Sequence, residues 1–279
     1  MKNILNQLNN PEFNIYNVSF FENGKYSNYS LTSANKCNNC YSVAKAFTAT
    51  AIGLLCDEGK LSPSDRITDI LSSYNDCITD NKWHRATVSD ALRHRIGLGI
   101  GGLLDIDVDD IKSYNTTDFL KYVFSKELQF EPGEKYIYTD AAFYILSRIV
   151  SEISGERLDD YLISRLFNPL EFSEIAWSKC PLGYSMGATG LYLRAEDTVK
   201  LGVLYLQKGL FNNKRVLSEE YINKALTMGY GLNKINGKNA YAKGGMHGQL
   251  IYFNYDTNVA IACQAYDKKS NGANIILNM

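Results

Sequence analysis

The chain has 279 residues, 45% hydrophobic and 21% charged, a balance that suits a sizeable folded core and excludes disordered or collagen-like polymers. Its 29 Lys and Arg offset 30 Asp and Glu to a net charge of −1, with no basic run to track a phosphate backbone, so a nucleic-acid partner is not expected. No apolar stretch reaches the length of a membrane span.

The first ten residues lack the continuous apolar segment of a signal peptide, so the chain as written is expected in the cytoplasm. Export would need a leader outside this sequence. Ile15–Phe21 and Tyr26–Leu31 flank Glu22-Asn23-Gly24-Lys25, and Asn-Gly between two such runs predicts an antiparallel hairpin. Six cysteines are too sparse for a disulfide scaffold, and most read as reduced thiols. Cys37 and Cys40 have the spacing of half a zinc site or a redox pair, but no second pair accompanies them, so no metal is assigned.

Ser42-Val43-Ala44-Lys45 heads the apolar run Ala46–Leu55, in which Val43, Ala44, Phe47, Ala51, Leu54 and Leu55 recur at spacings of three and four. That period predicts a buried helix ending near Gly59, with Ser42 on its first turn. Residues three apart share a helix face, so the Ser42 hydroxyl and the Lys45 amine approach each other over one turn. This is the arrangement of an activated nucleophile, since a serine hydroxyl needs a neighbour to take its proton. The same tetrad also describes a serine cap followed by a solvated lysine.

From about residue 65 to about 180 the pattern is mostly helical, with helices starting at caps such as Thr87, Thr116 and Thr139. Gly97–Gly102 is glycine-rich but lacks a P-loop Lys-Ser/Thr and reads as a loop. Helices follow over about Ala195–Gln207, closed by Gly209, and after Ser218. Strands are predicted over Tyr230–Ile235, Ala240–Lys243, Gln249–Phe253 and Asn258–Cys263. Strands at both ends with helices between imply an α+β fold: one antiparallel sheet built from both termini, flanked by helices, with an inserted, mainly helical lobe. The chain is read as a single domain, its α/β part about 1–60 and 185–279 and its helical lobe about 61–184.

Two further segments carry chemistry. Phe130-Glu131-Pro132-Gly133 leads to Tyr138-Thr139-Asp140 just before a helix start, and Lys243-Gly244-Gly245-Met246-His247 lies on or beside a strand. Ser42-Val43-Ala44-Lys45, Tyr138-Thr139-Asp140 and Lys243-Gly244-Gly245, in that order, resemble the three motifs of the serine β-lactamase and penicillin-binding protein superfamily, in its class C and esterase-like branch. Asn168-Pro169-Leu170, Gly187-Ala188-Thr189-Gly190-Leu191 and Arg215-Val216-Leu217-Ser218 are similar to that family's connecting segments.

The resemblance implies a serine hydrolase that cleaves a small-molecule ester, amide or peptide through an acyl-enzyme on Ser42, without organic cofactor. Lys45 would share in proton transfer. Tyr138 would be general base and acid, its anion favoured by the flanking Lys45 and Lys243. The oxyanion hole would be the backbone N–H groups of Ser42 and Met246, where one lost donor typically costs about 3–4 kcal/mol. Asp140, Gly244, Gly245 and His247 would line the substrate site, Asp140 standing where the family usually has asparagine. His94, where the family usually has His-Thr-Ser-Gly, is read as structural.

Gly244 lacks the threonine hydroxyl that helps hold a substrate carboxylate, and Asp140 adds a negative charge that would disfavour an anionic β-lactam unless it is paired with Lys45 or Lys243. These departures favour an esterase or amidase over a true β-lactamase or D,D-peptidase, and leave a catalytically silent binding homologue as the rival from another class.

Overall fold

The computed structural model describes residues 2–107 and 111–279. β1 (Ile15–Glu22) and β2 (Lys25–Ser30) form the predicted hairpin, with Asn23 and Gly24 both at positive φ (52° and 75°), as a tight two-residue turn requires. The C-terminal third supplies the rest of a six-stranded sheet in the order β2-β1-β11-β10-β9-β8. Its members are β8 (Asn233–Lys234), β9 (Ala240–Gly245), β10 (Gln249–Asn254) and β11 (Val259–Ala265), and every pairing is antiparallel. The two termini therefore meet at the β1–β11 ladder.

A second, three-stranded sheet joins β3 (Cys37–Asn39), β5 (Leu191–Arg194) and β4 (Ile175–Trp177), and β6 (Leu210–Phe211) with β7 (Lys214–Arg215) makes a short hairpin. The helices are α1 (Lys2–Leu8), α2 (Ala44–Asp57), α3 (Ile67–Ile70), α4 (Val88–Leu92) and α5 (Phe119–Phe124) in the first half. They continue with α6 (Asp140–Ser154), α7 (Leu158–Leu162), α8 (Ala195–Leu206), α9 (Glu219–Met228) and α10 (Asn271–Leu277).

α8 covers one face of the large sheet, while α1 and α10 lie against the other, giving two apolar clusters, one on each side. α2 is buried at every residue from Ala44 to Leu55, packed against α6, α7 and α9. A helix apolar all round belongs in the middle of a core. Gly53 permits the close approach of α9: a Cβ there would stand 2.3 Å from the Tyr221 ring, whose hydroxyl donates to the Ala49 carbonyl at 2.6 Å.

Thr87 caps α4 in a reciprocal capping box with Asp90, and Thr139 caps α6 by accepting from the Ala141 N–H. The third expected cap is displaced. Asp118, not Thr116, starts α5, accepting from the Leu120 and Lys121 N–H groups, while Thr116 accepts from the Asp118 N–H one turn earlier. The strand expected over Tyr230–Ile235 shrinks to Asn233–Lys234, because Gly229 (φ 74°) caps α9, the Tyr230 N–H still donates to the Ala225 carbonyl, and Gly231 stands at φ 69°.

Candidate active site

Ser42 lies on a single 3-10 turn, Tyr41–Val43, that runs directly into α2, not on the first α-helical turn. The reason is local. The Cys40 N–H donates to the Leu191 carbonyl (2.8 Å), Asn39 Oδ1 accepts from the Tyr41 N–H (2.9 Å), and Tyr41 adopts φ 46°. A non-glycine residue at positive φ is uncommon and marks a chain held by its surroundings. Here it turns the chain from β3 into α2 with Ser42 at the bend. β9 closes on the same turn: a Cβ on Gly245 would meet the Cys40 carbonyl oxygen at 2.4 Å and the Ser42 amide nitrogen at 3.2 Å. Met246, the next residue, thus follows directly from the strand end against Ser42.

Lys45 is on the first turn of α2 and fully buried. Its ammonium donates to Ser42 Oγ (3.0 Å), to Asp140 Oδ1 (2.7 Å) and to the Ala188 carbonyl (2.9 Å). That carbonyl is presented by a loop anchored by Thr48 Oγ1, which donates to the Gly187 carbonyl at 2.6 Å. Gly187 itself, at φ 71°, leaves no room for a Cβ beside the Phe143 carbonyl. Burial pushes the Lys45 pKa down, but the adjacent Asp140 carboxylate and Tyr138 outweigh it and leave the pKa raised.

Tyr138 precedes the Thr139 cap of α6, and its hydroxyl lies 2.7 Å from Ser42 Oγ, donating to it. His94, after α4, fixes this segment from three sides. Its carbonyl accepts from the Ile137 N–H (2.9 Å), its Nδ1 accepts from the Thr139 N–H (3.3 Å), and its ring stacks on that of Tyr138, centroids 4.5 Å apart. Burial and the charges of Lys243 and Lys45 lower the His94 pKa to about 2, so the ring is neutral with its proton on Nε2. Through these contacts His94 supports Tyr138.

Lys243 projects from β9 with its amine 5.0 Å from the Tyr138 ring centre, and the Lys45 amine is 4.8 Å from the same centre. Among the described residues it has no ion-pair partner. Burial and the neighbouring Lys45, opposed by Asp140, bring its pKa down to about 7. His247 (φ 61°) stands at the rim, its ring between those of Tyr41 and Tyr266 at 5.4 and 4.5 Å. Gly244 is open, with no atom nearer than 3.9 Å to where a Cβ would sit. Asp140, expected among the substrate-lining residues, is buried and faces Lys45.

The sequence reading overlooked Asp105 and Asp107. Their carboxylates and that of Asp140 lie within 4.8 Å of one another. Thr189 Oγ1 donates to Asp107, while burial, Asp140 and Asp107 raise the Asp105 pKa to about 6. The acidic run Asp105-Ile106-Asp107-Val108-Asp109-Asp110 after the glycine-rich loop was the available signal. Cys37 and Cys40 do not form a pair. The extended chain between them separates their Cα atoms by about 10 Å, beyond the reach of about 7 Å for a disulfide. Burial also lifts the Cys37 thiol to about 11 and that of Cys40 higher still.

An antiparallel sheet assembled from both termini, with a Ser-Lys pair at the head of a buried central helix, defines the β-lactamase/transpeptidase-like class. The Beta-lactamase family model matches residues 28–276, and the chain belongs to that family. An Escherichia coli (strain K12) protein provisionally named D-alanyl-D-alanine carboxypeptidase is 27% identical over 166 residues, 54% of this chain and 37% of that one. Penicillin-binding protein 4 of Amycolatopsis lactamdurans is 32% identical over 130 residues, 46% of this chain and 33% of its own length. The chain thus spans about a third of the length of these relatives.

Among solved structures, one provisionally titled 6-aminohexanoate-dimer hydrolase from Bacillus anthracis superposes with a TM-score of 0.80 at 15% identity, over 100% of this chain and 80% of that one. A penicillin-binding protein from Bacillus halodurans gives 0.76 at 20% identity, over 98% of both chains. Both likenesses establish the fold. Among the described residues no helix is long and apolar enough to cross a membrane.

Proposed function

We propose that this protein is a serine hydrolase that cleaves an ester or amide bond through an acyl intermediate on Ser42. The carrying observation is the double contact at Ser42 Oγ, 3.0 Å from the Lys45 amine and 2.7 Å from the Tyr138 hydroxyl. A serine hydroxyl acquires nucleophilic character only when a neighbour removes its proton, and here two groups able to exchange a proton touch it at once. Oγ attacks the substrate carbonyl carbon, and the backbone N–H groups of Ser42 and Met246 receive the developing oxyanion. The acyl-enzyme then yields to water by the same steps in reverse order.

The substrate is an uncharged or cationic ester or amide in preference to an anionic β-lactam. Gly244 offers no hydroxyl to a carboxylate, and Asp105 and Asp107 add carboxylates beside an Asp140 that already balances Lys45. D-Alanyl peptides stand next in line, because relatives carry names from that chemistry. The test is intact-protein mass spectrometry after exposure to a fluorophosphonate and, separately, to a penicillin. The fluorophosphonate adds one adduct to the wild type and none to Ser42→Ala. A wild type that stays unlabelled by both reagents refutes the reading and leaves a binding protein.

A further inference from the structure

The sequence pattern leaves open which of the two groups touching Ser42 takes its proton, and the answer lies one residue further out. We propose that Asp140 is a positioning residue that holds Lys45 as a permanent ammonium ion and so removes it as an acceptor for the proton of Ser42. The inference rests on the acyl-serine reading above and assigns Tyr138 as the base within it.

An ammonium has three N–H donors, and Lys45 has three acceptors: Ser42 Oγ, Asp140 Oδ1 and the Ala188 carbonyl, at 3.0, 2.7 and 2.9 Å. A neutral amine would keep two of these bonds and turn its lone pair to Ser42, which is the geometry of a lysine base. It would also strand a carboxylate. The side chains of Lys45 and Asp140 are 0% and 4% exposed, so loss of the Lys45 proton leaves the Asp140 charge buried and without its closest counter-ion. An asparagine at this position would impose no such penalty.

The other groups around Lys45 point the same way, with one exception. Tyr138 and Tyr136 approach from the segment before α6, and neutral His94 from the end of α4. Asp105 and Asp107, from the loop after the glycine-rich turn, add negative charge that favours the ammonium. Lys243 on β9 is the opposing cation, and burial brings its own pKa to about 7, which weakens its opposition above neutrality.

With Lys45 fixed as a cation, the reaction balances through Tyr138 alone. Once the Tyr138 hydroxyl, which donates to Ser42 Oγ across 2.7 Å, has given up its own proton to solvent, the Ser42 O–H bond breaks as the Oγ–carbon bond forms and the serine proton passes to the phenolate oxygen. Tyr138 then passes that proton to the leaving oxygen or nitrogen as its bond to the carbonyl carbon breaks, and the phenolate is restored. Lys45 contributes a fixed positive charge 4.8 Å from the Tyr138 ring centre throughout.

The test reads the charge of Lys45 directly and needs no activity. Protein labelled with carbon-13 at lysine Cε is titrated by NMR from neutral to strongly alkaline pH, the Lys45 resonance being identified by its loss in Lys45→Arg. In the wild type that resonance holds the ammonium position throughout the range in which the protein is folded. In Asp140→Asn its midpoint falls by about 1–3 pH units, the usual effect of one adjacent opposite charge, while Asp140→Glu restores the wild-type behaviour.

A wild-type resonance that titrates near neutrality overturns the proposal without recourse to any variant, and so does an Asp140→Asn midpoint equal to that of the wild type. Failure of the hydrolase reading looks different: Ser42 resists the fluorophosphonate while Lys45 stays charged.

Discussion

Tyr138 and Lys243 meet over one ring, and each makes a separate prediction. Tyr138→Phe removes the hydroxyl 2.7 Å from Ser42 Oγ and keeps the ring that stacks on His94. Turnover of a p-nitrophenyl ester should therefore fall by about 10²–10⁴-fold, the usual contribution of a positioned acid or base, with the thermal midpoint close to that of the wild type. Near-wild-type turnover would remove Tyr138 from the mechanism. Lys243, with its pKa lowered to about 7, is charged below neutrality and loses its charge above it, while Asp105 becomes an anion above about 6. The cleft thus grows more negative as pH rises through this interval. Inhibition by an anionic penicillin should weaken severalfold from mildly acidic to mildly alkaline pH, inhibition by a neutral ester should not, and Lys243→Met should flatten the difference.

β9 carries two glycines in succession that do unlike work. Gly245→Ala drives a Cβ to 2.4 Å from the Cys40 carbonyl, a backbone atom that cannot swing away, so β9 and the nucleophile turn must part. The expected cost is about 1–3 kcal/mol of stability, as for other overpacked sites, with a loss of kcat/KM approaching about 100-fold, since a displacement of about 1 Å at a catalytic group has that effect. Gly244→Thr meets nothing closer than 3.9 Å. It should fold as the wild type does and gain affinity for anionic β-lactams; an unchanged or lower affinity would show that the missing hydroxyl does not govern their binding. The sequence signalled both glycines only through the motif they sit in.

Other elements were legible for physical reasons that can be named. The Asn23-Gly24 turn, the Thr87 and Thr139 caps and the three-and-four spacing of α2 are local codes, written in the residues that obey them. The sheet of β3, β4 and β5 went unseen because its strands are only three or four residues long and Cys37-Asn38-Asn39 has no strand preference of its own. Asp140 could be placed near Lys45 by motif, but its burial depends on α6 packing against α2, a contact between residues 95 apart in sequence.

At the scale of the molecule, the site is also where folding stability responds to acid. His94 falls from an ordinary 6.5 to about 2 on folding, so the unfolded chain binds a proton between these values that the folded chain refuses. Its contribution is complete above 6.5 and is lost as pH falls toward about 2. Asp105 moves the other way, from 3.8 to about 6, so over that interval the folded chain holds a proton that the unfolded chain has released. Its contribution is complete below 3.8 and lost as pH rises through about 6. Lys243, lowered from 10.5 to about 7, acts above this range: its contribution is complete above 10.5 and lost as pH falls through about 7.

Between about 4 and about 6 the first two slopes oppose each other, and single substitutions should uncover them. Asn in place of His94 keeps an acceptor for the Thr139 N–H but cannot take a proton. The thermal midpoint of His94→Asn starts lower, because the stacking on Tyr138 and Phe143 is gone, yet it should gain on the wild type as pH falls. The gain is at most about 1.4 kcal/mol per pH unit, or roughly 2–4 °C per kcal/mol for a chain of this size. Asp105→Asn should lose ground on the wild type over the same interval. Parallel curves for the wild type and His94→Asn would mean that His94 is protonated in the folded protein, and with that the neutral ring clamped against Tyr138 would have to be abandoned.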